Sequence, residues 1–139
     1  MGGDRLRWLL RASRVFAAGL AVLGLCAPLA CAEPPASISQ QDLLRALESE
    51  EPPLVLDVRT PGEFAGGHVP GALNLPHTEV ASRLEEIRPA EGREVVVYCE
   101  SGRRAGMAEE VLRGAGIGGV RHLEGDMRAW RGSGLPLAR

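Results

Sequence analysis

A cysteine, a glycine and two arginines fall within one short stretch, Cys99-Glu100-Ser101-Gly102-Arg103-Arg104. The thiolate of a cysteine is a nucleophile, and arginine supplies a fixed positive charge with a planar set of donors. Gly102 allows the backbone to curl where other residues resist. If the stretch is a loop at the start of a helix, several backbone N–H groups and the positive end of the helix dipole point into it. Such a concavity binds anions and stabilises a thiolate. The chemistry suggested is a nucleophilic sulfur in an anion cradle. The same residues also allow a plainer reading, a buried, inert cysteine at a strand end.

The flanking residues can build that loop. Val95, Val96, Val97 and Tyr98 form a short β-branched and aromatic run, as in a strand covered on both faces. A helix is expected from Arg103 or Arg104, with Ala105, Met107, Ala108, Val111 and Leu112 as its apolar positions and Gly114-Ala115-Gly116 as its end. Upstream, Ser37 or Ser39 can cap a helix starting near Gln40 and carrying Leu43, Leu44 and Leu47. Residues 54–58 and 72–75 read as strands, and 60–63 as a turn or the start of a short helix. Residues 78–87 read as a helix, with Val80, Leu84 and Ile87 spaced by four and three, and 89–93 as a turn. Residues 120–123 read as a last strand and 126–131 as a last helix. This alternation predicts an α/β domain with a mostly parallel sheet. In such a sheet ligands bind at the carboxyl ends of the strands, where both Cys99 and Asp57-Val58-Arg59 fall.

Three ordered stretches resemble one family. C-E-S-G-R-R-A is similar to the active-site loop C-x-x-G-x-R-[ST] of the rhodanese-like sulfurtransferases. Residues 54–64 and 67–76 (L-V-L-D-V-R-T-P-G-E-F and G-H-V-P-G-A-L-N-L-P) resemble D-V-R-x-x-x-E-[FY]…G-H-[IV]-P-G-A-x-N-[IL]-P. Residues 123–130 resemble L-x-G-G-[IM]-x-x-W. Together these cover nearly all of residues 38–137. The resemblance implies a single rhodanese-like domain over residues 38–139, its central sheet flanked by helices on both faces.

It also implies an activity. Cys99 takes a sulfane sulfur from an anionic donor such as thiosulfate, becomes a persulfide, and passes the sulfur to cyanide or a thiol. The loop residues Glu100, Ser101, Gly102, Arg103, Arg104 and Ala105 would bind the substrate, and no metal or organic cofactor is needed. Asp57 and Arg59 are expected to support the loop, and Glu63 is read in the same way. Arg104 either contacts substrate or pairs with a carboxylate such as Asp57. The C-x4-R spacing is one residue shorter than the C-x5-R loop of phosphatases that share the fold, which argues against phosphate ester chemistry. Two positions depart from the pattern. Glu100 puts a negative charge beside the sulfur, which disfavours anionic donors unless the side chain turns to solvent. Ala105 stands where a hydroxyl is common. His68 is read as a turn histidine bonded to backbone, His77 and His122 as isolated histidines, and Trp130 as packing for the last helix. The alternatives to the enzyme are a binding module that presents a persulfide or an anion to a partner, and a thiol redox protein. The latter would need a resolving cysteine from elsewhere.

The chain has 139 residues, enough for one domain, and a formal net charge of −2. All 16 basic residues are arginine, and no basic footprint for nucleic acid is present. The amino-terminal part has a different character. Arg5, Arg7, Arg11 and Arg14 precede an apolar run over residues 15–25, and Ala30-Cys31-Ala32 follows. A basic region, an apolar core and a small-x-small site predict a secretory signal peptide over residues 1–32, a spacer over 33–37 and a periplasmic or secreted domain. The run is shorter than the roughly 20 apolar residues of a spanning helix. No stable membrane insertion is expected after cleavage, and Pro28 argues against a lipidated Cys31. Cleavage would also remove Cys26 and Cys31, leaving Cys99 as the only thiol. An internal disulfide or a thiolate zinc site is then impossible. The expected partners are a small anionic sulfur donor and a thiol or cyanide acceptor, with the protein a monomer.

Overall fold

The strand that ends at Cys99 sits in the middle of the sheet. A computed structural model describes residues 36–87 and 92–139. The segment read as a signal peptide, the first residues of the spacer and part of the turn at 89–93 lie outside the described residues. The strands are β1 (Ser37–Ile38), β2 (Leu54–Asp57), β3 (Leu73–Asn74), β4 (Val95–Tyr98) and β5 (Val120–Leu123). The helices are α1 (Gln40–Leu47), α2 (Pro61–Ala65), α3 (Arg103–Gly114) and α4 (Asp126–Gly132). The sheet order is β1-β5-β4-β2-β3, and every pair is parallel. All four residues of β4 are buried, as the unbroken apolar run requires of a strand covered on both faces.

Alternation along β4 divides the core. Val95, Val97 and Cys99 face one side, packed with Ala105, Ala108 and Leu112 of α3. Val96 and Tyr98 face the other, packed with Leu43 of α1 and with Met127 and Trp130 of α4. The sheet therefore carries helices on both faces, and this two-sided burial removes most of the apolar surface from water. No helix among the described residues is long and apolar enough to cross a membrane.

Local signals explain most boundaries. Ser39 caps α1 by accepting the Asp42 N–H at 3.1 Å. Thr60 and Glu63 form a reciprocal capping box on α2, with Pro61 in its first turn. Three expectations change. Residues 78–87 form two 3-10 turns, Val80–Ser82 and Leu84–Glu86, rather than one helix. Arg83 leaves the helical region between them (φ −121°, ψ 26°) while its guanidinium holds Glu79 and Glu86. Met107, expected on the apolar stripe of α3, is 50% exposed, and Glu109 falls on the buried side instead. β1 carries no pattern that the sequence alone announces, because two residues are too few to show alternation.

Candidate active site

Cys99 immediately follows β4, and α3 starts four residues later. Between them Gly102 adopts a left-handed conformation (φ 95°, ψ −29°) as the residue before the helix. That conformation is open to glycine and strained for other residues. It turns the Gly102 N–H back onto Cys99 Sγ at 3.1 Å. Cys99 itself is only 1% exposed, so its sulfur lies on the floor of the loop.

The loop's backbone polarity is sorted by α4. The Cys99 carbonyl accepts the Met127 N–H at 3.1 Å, and the Glu100 carbonyl accepts the Arg128 N–H at 3.2 Å. These donors belong to the first turn of α4, whose N–H groups have no partner within their own helix. The peptides are trans, so each carbonyl drawn toward α4 leaves the next N–H pointing the other way. Glu100, Ser101, Arg103 and Arg104 make no backbone N–H hydrogen bond among the described residues. One amide at the helix start, that of Gly102, is thus aimed at the sulfur, and four neighbouring N–H groups are left free to meet an anion.

Charged side chains brace this loop from several elements. Arg104, on the first turn of α3, donates to both carboxylate oxygens of Glu63 on α2, at 2.7 and 2.8 Å. Glu63 first, and Cys99 to a smaller degree, raise the pKa of the Arg104 guanidinium above the ordinary range. The Arg104 hydrogen bonds, with those from Thr60, hold Glu63 at a pKa of about 2 despite partial burial. Glu100 pairs with Arg131 of α4, and its other oxygen lies 3.7 Å from Arg59. Two arginines therefore offset its charge beside the sulfur. Arg103 and Ser101 stand exposed at the rim, and Arg103 makes no ion pair among the described residues. Ala105 turns its methyl into the core, so it can offer the cradle only its backbone.

Asp57 and Arg59 are buried together at the end of β2, and Arg59 meets the loop through Glu100. Arg59 grips both oxygens of Asp57 and donates to the Gly67 carbonyl at 2.9 Å. Tyr98 donates its hydroxyl to Asp57 at 2.7 Å and accepts the Val69 N–H at 3.1 Å. Burial first, and Asp57 next, keep that phenol protonated well above its ordinary range. For Arg59 burial opposes the charge, and the Asp57 carboxylate outweighs it, so the guanidinium stays charged. The network is fully satisfied, with no unpaired buried polar side-chain atom among the described residues. It ties β2, β4 and the Gly67–Val69 turn together. His68 in that turn hydrogen-bonds the Phe64 carbonyl at 3.0 Å, as a turn histidine should. Trp130 is buried and donates to the Pro136 carbonyl.

Of the two roles open to Arg104, substrate contact or pairing with a carboxylate such as Asp57, the structure shows a carboxylate pair, with Glu63 in place of Asp57, whose oxygens Arg59 and Tyr98 already occupy. Three residues of the loop's support are missed by sequence reasoning. Asp126 accepts the Cys99 N–H at 2.8 Å. His122 on β5 contacts Asp126 at 3.1 Å and Glu109 at 2.5 Å. Asp126 first, then Glu109, raise the His122 pKa to about 9 against the opposing effect of burial. A signal existed for Glu109: it interrupts the apolar stripe of Ala105, Ala108 and Leu112, and a carboxylate there needs a partner.

Comparison with known proteins identifies the family. The rhodanese-like domain model matches residues 39–133. An uncharacterised protein of Synechocystis is 41% identical over 98 residues, covering 69% of this chain and 52% of that protein. The chain thus spans about half the length of that relative. A sulfurtransferase of Allochromatium vinosum is 40% identical over 100 residues, covering 72% of this chain and 92% of its own length. Among solved structures, a rhodanese-related protein of Thermoplasma volcanium superposes with a TM-score of 0.65 at 27% identity, covering 73% of this chain and 96% of that one. With its all-parallel five-stranded sheet, its loop between β4 and α3, and a family match across most of its length, this chain belongs to the rhodanese-like domain family.

Proposed function

We propose that this protein is a sulfurtransferase that carries sulfane sulfur as a persulfide on Cys99. The observation that supports the reading most directly is the Gly102 N–H aimed at Cys99 Sγ in a loop whose Glu100, Ser101, Arg103 and Arg104 N–H groups have no hydrogen-bond partner among the described residues. The thiolate attacks the outer sulfur of thiosulfate. A new S–S bond forms, and the S–S bond of thiosulfate breaks with its electron pair leaving on sulfite. Cysteine is left as a persulfide anion, one S–S bond of about 2.05 Å longer than the thiolate and closer to the mouth of the loop. An acceptor such as cyanide then takes the terminal sulfur as thiocyanate, and the electron pair of the S–S bond returns to Cys99. Charge is conserved in both halves, and no oxidant or reductant is consumed. The donors that hold the anionic thiolate also hold the anionic persulfide, the same logic as an oxyanion hole.

The test is the intact mass of the purified protein before and after thiosulfate. A gain of one sulfur atom, reversed by cyanide and absent in Cys99→Ala, supports the carrier. Absence of any gain with thiosulfate and with organic persulfide donors would reject it and favour a module that binds anions without turning over. Mass spectrometry of protein taken from the cell envelope reads export at the same time, through loss of the first thirty-two residues.

A further inference from the structure

Among the described residues, Asp126 is the non-glycine residue with a left-handed backbone, at φ 53°. It stands where the L-x-G-G-[IM]-x-x-W pattern has its second glycine. That conformation is less costly for aspartate than for most residues, but glycine would hold it with less strain. What aspartate adds is a buried carboxylate directly under the loop. Its Oδ1 accepts the Cys99 N–H, and its Oδ2 lies beside Gly102, where an added Cβ would approach it to 3.2 Å. The two ends of the loop thus rest on one carboxylate. One end carries the nucleophile, and the other carries the N–H that donates to its sulfur.

The carboxylate is itself held in place. The His122 ring lies between Asp126 and Glu109, one carboxylate on each ring nitrogen. With acceptors on both sides, each nitrogen donates and the ring is cationic. Glu109 is further paired with Arg113 at 3.1 Å. The positive ring also answers an electrostatic difficulty. An unneutralised carboxylate below the cradle would repel the anions that the cradle is built to hold.

We propose that Asp126, clamped by His122 and Glu109, is a positioning residue for sulfur transfer, fixing both the Cys99 main chain and the Gly102 amide that aims the sulfur. The inference rests on Cys99 being the nucleophile. It differs from an ordinary fold contact in what its loss would do. Replacing Asp126 by glycine relieves the backbone, which offsets part of what the fold loses with the carboxylate. The same change leaves the Cys99 N–H without its acceptor and empties the space beneath Gly102.

The experiment uses the full-length protein with Asp126→Gly, Asp126→Asn, His122→Leu and His122→Gln. Three quantities are read: kcat and KM for thiosulfate-to-cyanide transfer, the rate of Cys99 alkylation by iodoacetamide, and the melting temperature. Asp126→Gly and His122→Leu are expected to lower kcat by about 10- to 100-fold with little change in KM, the size of effect a small misplacement of reacting atoms produces. The alkylation rate should shift in both variants, because it reports on the sulfur and not on the donor. Asp126→Asn keeps an oxygen for the Cys99 N–H, and His122→Gln keeps a donor for Asp126, so each should recover part of the loss. Unchanged kcat and alkylation in a folded Asp126→Gly protein would overturn the proposal. Should Asp126→Gly not fold, the His122 pair decides by the same readouts, and equal activity in Leu and Gln would also overturn it. A wild-type protein that transfers no sulfur would overturn the role in transfer together with the enzymatic reading, whereas transfer by wild type with unchanged kcat in the variants would overturn the role alone.

Discussion

Arg104 reaches from the first turn of α3 to Glu63 on α2 and binds both of its carboxylate oxygens, at 2.7 and 2.8 Å. The pair joins the candidate loop to the segment that follows β2. Because Glu63 also closes the capping box with Thr60, one carboxylate orders two neighbouring pieces of chain.

The Glu63 pair should show in acid. Glu63 has a folded pKa of about 2 against an ordinary 4.5, so the folded state releases its proton more readily than the unfolded state. Its stabilisation is full above about 4.5 and is lost as pH falls through about 2. Denaturation of wild type and Glu63→Gln should therefore differ by a constant amount from neutral pH to mild acid and converge near pH 2. The pair is partly exposed, so a neutral-pH difference of up to ~1 kcal/mol is expected.

The Asp57 network should behave as a buried unit. Removing the carboxylate in Asp57→Ala leaves Arg59 charged and buried with only the more distant Glu100 oxygen, at 3.7 Å, to answer its charge, a loss of about 3–5 kcal/mol. Tyr98→Phe removes only the hydroxyl and leaves the Val69 N–H without an acceptor, a loss of about 1–3 kcal/mol. Urea unfolding of the two variants should give that ranking. If the costs were equal, Asp57 would owe its value to Tyr98 more than to Arg59.

Gly102→Ala should injure function and stability together. Its φ of 95° is strained for alanine by roughly 1–2 kcal/mol. The new Cβ would also press on Asp126 Oδ2 at 3.2 Å, and relief of that contact moves the N–H away from Sγ. Sulfur transfer should fall by more than thermal unfolding alone explains, which assays well below the melting temperature can check.

His122 should titrate unusually high. A folded pKa of about 9 against 6.5 means that the folded protein holds this proton more tightly than the unfolded chain. The stabilisation is complete below about pH 6.5 and fades as pH rises through about 9. The groups facing the ring are Asp126 of α4 and Glu109 of α3, with Arg113 paired to the latter. NMR of the His122 ring protons in wild type and Glu109→Gln should show the midpoint fall when the second carboxylate is neutralised.

Glu100 should tune the donor. Its carboxylate balances Arg131 and Arg59 at the loop. Glu100→Gln leaves the Arg131 charge unopposed and Arg59 balanced by Asp57 alone, so a dianionic donor should bind better. A change of ~1 kcal/mol, roughly a five-fold lower KM for thiosulfate, is the scale for one charge near the surface. Added salt should shrink the gain. A KM that does not move would mean that Glu100 is neutralised where it stands.

What the sequence disclosed and what it hid follow from range. The loop at Cys99 was legible because strand, glycine and helix are contiguous, and the β4 run and the α3 stripe are periodic. The α/β class followed from the alternation of elements. The Arg59–Asp57 grip joins residues only two apart, yet it was not read from the sequence, where Asp57 was offered to Arg104. Hidden were the bonds that depend on chain reversal. His122 is thirteen residues from Glu109 and four from Asp126, and no helix puts them on one face. The turn between β5 and α4 does so. Arg104 and Glu63 are 41 residues apart, and nothing local marks one as the partner of the other. The 3-10 turns after Pro76 were misread because spacings of four and three suit a continuous helix as well as two short turns interrupted at Arg83.

The edge strand β1 has a bearing on the order in which the sheet can close. Ser37 pairs with His122, Ile38 with Leu123, and the Ser37 hydroxyl reaches Glu124. The first strand of the described domain is completed by its last. Wherever the chain folds, β1 has a place in the sheet only after β5 has joined β4, so the first residues of the domain are among the last to be fixed. Until then one side of β4 is an open edge, which a chaperone or a neighbouring chain could pair with.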